Sequence, residues 1–330
     1  MVYFSISIMV QQMDEITENT EYRFERLQPK HYKDLVYISK SAFNIDPGIA
    51  YFINKNKTDA FGATNLGYIA YHKESNQPAA FYGVYAHPYV YQGRQYYVVQ
   101  SGDTMTHSSH FGKSLFSQLA KLTYRLAAGN GAKMVYGFPN KKSYPVLLNK
   151  LNFQFKGNLN VYKIRIYTFP LLKISKKVKF LKPIYNLYLY IINKLLIKHS
   201  DIFENTIIST NYGGIPHNSK FFNYKKFNGS YILHQGNLKC WIKPDGFLYI
   251  GDIEKSSLIT TTEIIKKIKV YAFLIGADIV TFRFSPATYW DNQFSKYLKP
   301  EKGAEFGYLL FDEDFPIEAF QVCEADLDTF

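Results

Sequence analysis

The order of predicted elements repeats about 145 residues along the chain, and this repeat limits the folds the chain can adopt. Gly131-Ala-Lys-Met-Val135 and Gly276-Ala-Asp-Ile-Val280 each follow a segment with helical spacing of apolar residues. Each also leads into an apolar strand and then a short helix. The offset is near half of the 330 residues, a length that allows two domains of about 150 residues each. The repeat therefore predicts a tandem duplication.

Strand and helix patterns in the first copy show what is duplicated. Period-2 alternation marks strands, spacing of three and four marks helices, and Gly, Asn and Pro mark the turns between them. The predicted elements are a strand at 22–27, a helix from Pro29 to residue 43, strands at 67–72, 79–86 and 96–103, a helix at 113–128, a strand at 134–138 and a helix at 143–151.

This order predicts an α+β fold in α/β/α layers. Each of the two tandem units is expected to contain a mixed, mostly antiparallel sheet flanked by helices. We place an N-terminal lead at 1–20, the first unit at 21–165, a basic amphipathic connector at 166–205 and a second, degenerate unit at 206–330.

Charge is distributed unevenly along the chain. Lys and Arg number 39 against 27 Asp and Glu, for a net charge of +12. No Asp or Glu occurs between residues 104 and 200, where 17 Lys and Arg lie, and the remainder carries −5. Such a block predicts an anionic partner, which could be nucleic acid, an acidic membrane surface or a phosphorylated small molecule. The bases are spread through helices and strands rather than clustered in an arm, which argues against nucleic acid.

Composition excludes several protein classes. Aromatic residues make up 18% of the chain, which excludes disorder, and the two cysteines, Cys240 and Cys323, cannot form a disulfide scaffold. A reducing, cytoplasmic location fits this content. Residues 2–10 are apolar but lack a preceding basic residue and a cleavage site, so we predict no signal peptide. No His/Cys cluster has zinc spacing, so no metal is expected.

The connector contains an apolar face over 184–197, with Lys182, Lys194 and Lys198 at its ends. It is too short and too polar to span a bilayer. It is either an amphipathic helix packed between domains or a helix that contacts a membrane surface through 182–198. The second alternative requires an exposed apolar stripe.

The turn between the strand at 96–103 and the following helix is rich in small residues: Ser108, Ser109, Gly112 and Ser114. Backbone N–H groups at a helix start, with the positive end of the helix dipole, can bind phosphate. No carboxylate is close in sequence. In the second copy, Thr260-Thr-Thr-Glu263 predicts a capping box that satisfies its own helix start. Only the first copy is therefore expected to accept an anion, although an ordinary Ser-capped helix is the alternative.

The run 100–119, followed by Tyr136-Gly-Phe-Pro-Asn140 and Lys150-Leu-Asn-Phe153, resembles the GCN5-related N-acetyltransferase (GNAT) superfamily. More narrowly, it is similar to two-domain bacterial members associated with cell-surface glycan biosynthesis. The resemblance implies that the turn wraps the pyrophosphate of acetyl-CoA or another acyl-CoA. The family's R-x-x-G-x-G/A signature falls here on Phe111, Ser114 and Phe116. The coenzyme A site implied in this way comprises Met105, Thr106, Phe111, Gly112, Lys113, Ser114, Leu115, Phe116 and Asn140.

Acyl transfer to an amine needs a base to take the ammonium proton. Because the region 104–200 contains no carboxylate, Asp103 is the first candidate, with His107 and His110 as alternatives. The family often uses a Tyr to protonate the leaving thiolate. Leu148 stands at that position, so Tyr144 or water would have to substitute.

These features together predict an acyl-CoA-dependent N-acyltransferase that acts on an amine-bearing small molecule by direct attack on the thioester. An amino sugar nucleotide is the favoured acceptor, because its diphosphate suits a basic cleft. Two other hypotheses stay open. One is a non-catalytic GNAT-like binding protein, favoured by Phe111, Ser114 and Leu148, and the other is a basic protein that binds nucleic acid or a membrane surface.

Overall fold

The computed structural model describes residues 19–178, 180–197 and 203–330, which form two compact units. The first unit includes 94–157 and 304–317, and the second includes 158–303 and 318–330. The apolar run at 2–10 and Lys198 lie outside the described residues. In the part that is described, no helix is long and apolar enough to cross a bilayer.

The first unit is built on strands in the spatial order β1-β2-β3-β4-β5-β11. β1 pairs with β2, and β2 with β3, in antiparallel fashion, whereas β4 and β5 are parallel. The strands are β1 (Tyr22–Arg26), β2 (Leu66–His72), β3 (Pro78–Tyr91), β4 (Arg94–Thr106), β5 (Met134–Gly137) and β11 (Glu301–Leu310). The helices are α1 (Tyr32–Phe43), α2 (Ile49–Lys55), α3 (Leu115–Gly129) and α4 (Tyr144–Leu151).

Helices cover both faces of this sheet. Because side chains alternate along a strand, neighbouring residues of β3 enter different cores. Phe81 packs with Leu35 of α1 and Phe52 of α2. Tyr82 packs with Leu119 of α3 and Leu147 of α4. The α/β/α layers predicted from the sequence are therefore confirmed for this unit.

The strands of the second unit follow one another in the spatial order β6-β10-β9-β8-β7. β9 and β10 are parallel, whereas β6 with β10, β7 with β8, and β8 with β9 are antiparallel. Its strands are β6 (Gln154–Arg165), β7 (Tyr231–Gln235), β8 (Leu238–Asp245), β9 (Phe247–Ile253) and β10 (Ile279–Phe284). Its helices are α5 (Leu171–Lys177), α6 (Leu181–Leu196), α7 (Ser219–Lys225), α8 (Thr261–Leu274) and α9 (Tyr289–Phe294).

The repeat is visible in the elements. The series α3-β5-α4-β6 has the same order as α8-β10-α9-β11. A glycine with positive φ lies two residues after the end of each of α3 and α8: Gly131 at 90° and Gly276 at 66°. The final strand of each series pairs with a strand of the other series: β6 pairs with β10, and β11 pairs with β5. The predicted domain limits at 165 and 206 follow the repeat in the sequence and remain predictions. Each compact unit instead contains the final strand of the series that lies in the other half of the sequence.

Candidate acyl-CoA site

Strands β4 and β5 separate at their carboxyl ends. Their parallel pairing consists of Val99 with Val135 and Gln100 with Tyr136. β4 then continues to Thr106, whereas β5 ends at Gly137. Asp103 interrupts β4 with a φ of 49°, a left-handed conformation that bends the strand locally. The end of β4 therefore exposes an edge that β5 does not cover as a paired strand.

A cavity of about 350 Å³ lies beside this edge. The end of β4, the turn that follows it, the first turn of α3 and one side of α4 enclose it. The lining residues are Thr106, His110, Phe111, Gly112, Lys113, Ser114, Leu115, Phe116, Ser117, Val146 and Lys150. Most of the residues that the sequence assigned to coenzyme A are among them, while Met105 is buried in the core under α1 and α2.

The turn before α3 has the backbone shape of an anion site. Gly112 and Ser114 have φ values of 81° and 55°, and this is why α3 begins at Leu115 rather than at residue 113 as its apolar spacing predicted. The N-cap Ser114 makes no side-chain capping bond. The first N–H groups of any helix have no partner within it, so here they remain available to an anion in the cavity.

The second copy differs in the predicted way. Thr260 Oγ1 accepts a hydrogen bond from the Glu263 N–H at 3.3 Å, and Glu263 Oε2 accepts one from the Thr260 N–H at 2.8 Å. This confirms the capping box, which places a carboxylate at the start of α8. An anion would be repelled there.

One carboxylate does lie near the first-copy turn, contrary to the expectation from the sequence. Lys113 Nζ is 3.1 Å from Glu21 Oε2. This hydrogen bond and charge raise the pKa of Lys113. The two residues are 92 apart in sequence, so a census of local charge could not detect the pair. An incoming phosphate must compete with Glu21 for Lys113. Lys150 is a second lysine that lines the same cavity.

Three histidines, among them the candidates His107 and His110, converge at this end of the sheet. The ring centroids of His107 and His110 are 5.8 Å apart, and those of His72 and His110 are 5.6 Å apart. His87 is separate, buried and hydrogen-bonded to Tyr136 at 2.7 Å. Only His110 of these lines the cavity.

The two loop histidines have different surroundings. His107 stacks on Tyr37 at 5.2 Å and bonds to Ser109 Oγ through Nδ1 at 2.7 Å. His110 Nδ1 is 2.9 Å from Tyr22 Oη. Burial, followed by the charges of His107, His72 and Lys113, lowers the pKa of His110. It is therefore neutral at pH 7 and can accept a proton.

Asp103 is engaged in a partly buried ion pair. Its Oδ1 lies 3.0 Å from Nζ of Lys55, whose side chain is 3% exposed, and its Oδ2 accepts a hydrogen bond from Tyr85 at 2.5 Å. The Lys55 ammonium also lies 4.7 Å from the centre of the Tyr85 ring. Sequence reasoning missed Lys55 and Tyr85. The available signal was a single lysine at the end of the apolar segment 49–55.

The remaining predicted residues have local roles. Asn140 Oδ1 accepts hydrogen bonds from the backbone N–H groups of Lys142 and Ser143, which holds the turn before α4. Tyr144 stacks on Phe155 at 4.4 Å. Leu148 is 43% exposed on α4. None of these three side chains lines the cavity.

Two other features lie away from this cavity. A larger cavity of about 600 Å³ is lined by Lys30, Lys33 and Lys57 among others, but by none of the predicted site residues. In the second unit, His217 bonds to Asp252 at 2.9 Å and to Asp326 at 2.8 Å, and all three are buried. His217, Cys323 and Asp326 also offer three atoms close enough to share a metal ion. Burial, followed by the charges of Asp326 and Asp252, raises the pKa of the Cys323 thiol.

No protein-family model and no curated protein matches this chain. Solved structures do. A GCN5-related N-acetyltransferase from Kribbella flavida matches with a TM-score of 0.55 and 11% identity, over 88% of this chain and 71% of that one. A conserved protein of unknown function from Enterococcus faecalis matches with a TM-score of 0.58 and 12% identity, over 89% and 73%. Saccharomyces cerevisiae N-myristoyltransferase with bound myristoyl-CoA matches at 0.52 and 10%, over 88% and 82%. The chain therefore has the GNAT fold, as the sequence resemblance predicted.

Proposed function

We propose that this protein is an acyl-CoA-dependent N-acyltransferase whose first unit holds the thioester. The observation that carries the proposal is the cavity at the uncapped start of α3, which Lys113 and Lys150 both line. The GNAT fold supports it, because the neighbours include an N-acetyltransferase and an N-myristoyltransferase with bound myristoyl-CoA. The pyrophosphate would contact the N–H groups of the turn, with the lysines supplying charge.

The reaction joins an amine to the acyl carbon. The amine nitrogen attacks the thioester carbonyl, a C–N bond forms, the C–S bond breaks, and the thiolate leaves and takes up a proton. The end of β4 that does not pair with β5, which contains Met105 and Thr106, is where the family resemblance puts the pantetheine and the acyl carbonyl. The attacking nitrogen must first lose its ammonium proton to a base.

His110 is the base that this arrangement favours. It lines the cavity, and its lowered pKa keeps it neutral. When Nδ1–H donates to Tyr22 Oη, the lone pair is on Nε2, which can then accept the proton. Asp103 is less suited, because its carboxylate already binds Lys55 and Tyr85. We assign Asp103 to holding the bend in β4.

For the acceptor we propose an amine-bearing small molecule, with an amino sugar nucleotide as the favoured class. The support is the segment 104–200, which contains 17 Lys and Arg and no carboxylate, and of which Lys113 and Lys150 line the cavity. A nucleotide diphosphate needs such a field.

Calorimetry with acetyl-CoA and longer acyl-CoAs tests the proposal. We expect saturable binding that weakens about tenfold in Lys150→Glu, because a charge that lines the cavity is reversed. Lys142→Glu is the matched control, since Lys142 is exposed near α4 and does not line the cavity. Absence of binding at millimolar ligand would refute the proposal.

A non-catalytic binding protein is the second candidate. Leu148 replaces the family's thiolate-protonating Tyr, and Tyr144 stacks on Phe155 rather than lining the cavity. This candidate predicts acyl-CoA binding without release of free thiol for any amine tested. Turnover with a single acceptor would exclude it.

A further inference from the structure

Helix α6 has an outward apolar stripe. Its residues recur at intervals of three and four, which places them on one side of the helix. Phe180, just before the helix, is 74% exposed and Leu195 near its end is 75% exposed. Between them lie Ile184, Leu187 and Ile191, also exposed.

The opposite side of α6 holds it to the second unit. Tyr185 is buried, and its hydroxyl donates to the Ile275 carbonyl at 2.8 Å. Tyr271 of α8 donates to Asn193 Oδ1 at 2.7 Å. The outward stripe is therefore not the surface by which this helix packs.

The segment before α5 adds to the exposed apolar surface of the second unit. Tyr167 is 95% exposed and Phe169 is 67% exposed. Thr168 Oγ1, between them, donates to the carbonyl of Phe273, itself an exposed residue of α8. Tyr188 of α6 donates to the next carbonyl, that of Leu274. Hydrogen bonds thus connect α6, α8 and this segment, and each of the three carries exposed apolar side chains. Exposed apolar surface of this extent marks an interaction site.

Charge indicates which partner covers the patch. Residues 166–197 contain six lysines and no Asp or Glu. Lys182 and Lys194 are exposed on α6 itself, near its two ends. A second copy of the chain on this helix would bring lysines against lysines, which is unfavourable. An anionic surface with an apolar interior complements both the stripe and its flanking charges.

We propose that the α6 stripe docks the protein on the surface of a membrane containing anionic lipids. The helix lies in the plane of the interface, with Ile184, Ile191 and Leu195 inserted below the headgroups and Lys194, beside the stripe, at the headgroup phosphates. Tyr190, which is exposed, lies at the depth where tyrosines are enriched. This surface belongs to the second unit and is independent of the acyltransferase proposal.

Vesicle sedimentation with the full chain tests this inference. We expect binding to vesicles of phosphatidylcholine and phosphatidylglycerol, little binding to phosphatidylcholine alone, and a decrease as salt increases. The double variant Ile184→Ser/Leu195→Ser should lower the partition coefficient by about tenfold or more, because two exposed side chains no longer insert. Lys182→Glu/Lys194→Glu should lower it as well.

Leu258→Ser is the matched control, because Leu258 is 72% exposed in the loop before α8. It should bind vesicles as the unmodified chain does. Equal binding by the stripe variants and this control would overturn the inference, as would failure of the unmodified chain to bind acidic vesicles. Sedimentation velocity adds a third outcome: a dimer that the stripe variants dissociate, without vesicle binding, would assign the patch to a second copy and overturn the membrane proposal.

Discussion

At the scale of single residues, neighbours distant in sequence decide the chemistry of the candidate site. Strands β2 and β3 and most of β4 lie between Lys55 and Asp103 in the sequence, yet the two residues form a 3.0 Å ion pair. In the proposed mechanism, this pairing favours the His110 imidazole over the Asp103 carboxylate as the base. Removing one partner of such a pair leaves a partly buried charge without compensation, which is strongly destabilising.

Replacement of His110 tests this assignment. We expect His110→Gln to reduce kcat/KM by about a hundredfold or more, the usual contribution of a general base. In the unmodified protein the acid limb of the pH profile, where kcat/KM falls as pH decreases, should lie below pH 6.5. The reason is that burial and neighbouring cations lower the pKa of His110. Measurement of kcat/KM against pH checks both statements.

His72→Gln is the control for that experiment. His72 does not line the cavity, but its charge contributes to lowering the pKa of His110. The variant should keep its turnover and shift the acid limb upward, toward pH 6.5. An acid limb that persists unchanged in His110→Gln would assign the base elsewhere.

At the scale of elements, the turn before α3 determines how well the start of that helix can bind an anion. Apolar spacing predicted the helix but started it two residues early, because hydrophobic periodicity carries no information about left-handed backbone at Gly112 and Ser114. Ser114 occupies a conformation that glycine adopts more readily. Phe111, 62% exposed, stands where the family signature has Arg.

Restoring the signature should strengthen coenzyme A binding. We expect Phe111→Arg/Ser114→Gly to lower the Kd for acetyl-CoA by about tenfold, because Arg adds a charge-assisted hydrogen bond and Gly allows closer backbone approach. Calorimetry measures the change. Tyr297→Arg adds the same charge at an exposed position of the second unit and should leave Kd unaltered. An unchanged Kd in the double variant would show that this turn does not hold the pyrophosphate.

At the scale of the whole molecule, buried polar groups tie distant segments together. His217 bridges Asp252 on β9 and Asp326 near the end of the chain. Burial acts to lower the pKa of His217, but Asp326 and Asp252 outweigh it and raise the pKa to about 9. The imidazolium thus lies between two carboxylates, and its stabilising effect depends on pH.

The unfolding free energy should therefore fall at alkaline pH. The unfolded imidazole has a pKa of about 6.5, so this contribution is complete below that pH and is lost as pH rises through about 9. The difference is on the order of 3 kcal/mol. Urea unfolding at several pH values, with His217→Gln lacking this dependence and His234→Gln retaining it, measures the effect. Identical pH profiles for the unmodified chain and His217→Gln would contradict it.

Sequence patterns predicted most elements of the first copy in their order, because each depends on local periodicity, but they missed the helix Ile49–Lys55 and the strand Gln154–Arg165. They also identified the turn that lines the cavity, through its small residues. They did not predict the pairing of β6 with β10 and of β11 with β5. They also did not predict the Glu21–Lys113 contact or the His217 network. Each of these joins segments through tertiary structure, which local spacing does not encode.

The pairing of β11 with β5 affects how the chain can fold during its synthesis. Tyr136 of β5 is paired with Tyr308, so one edge of β5 stays open until residues near 308 have been made. At ordinary rates of translation this interval is roughly ten to thirty seconds. An apolar, unpaired strand edge is a site of aggregation, so nascent chains of this protein should depend on chaperones more than chains whose domains are complete in sequence.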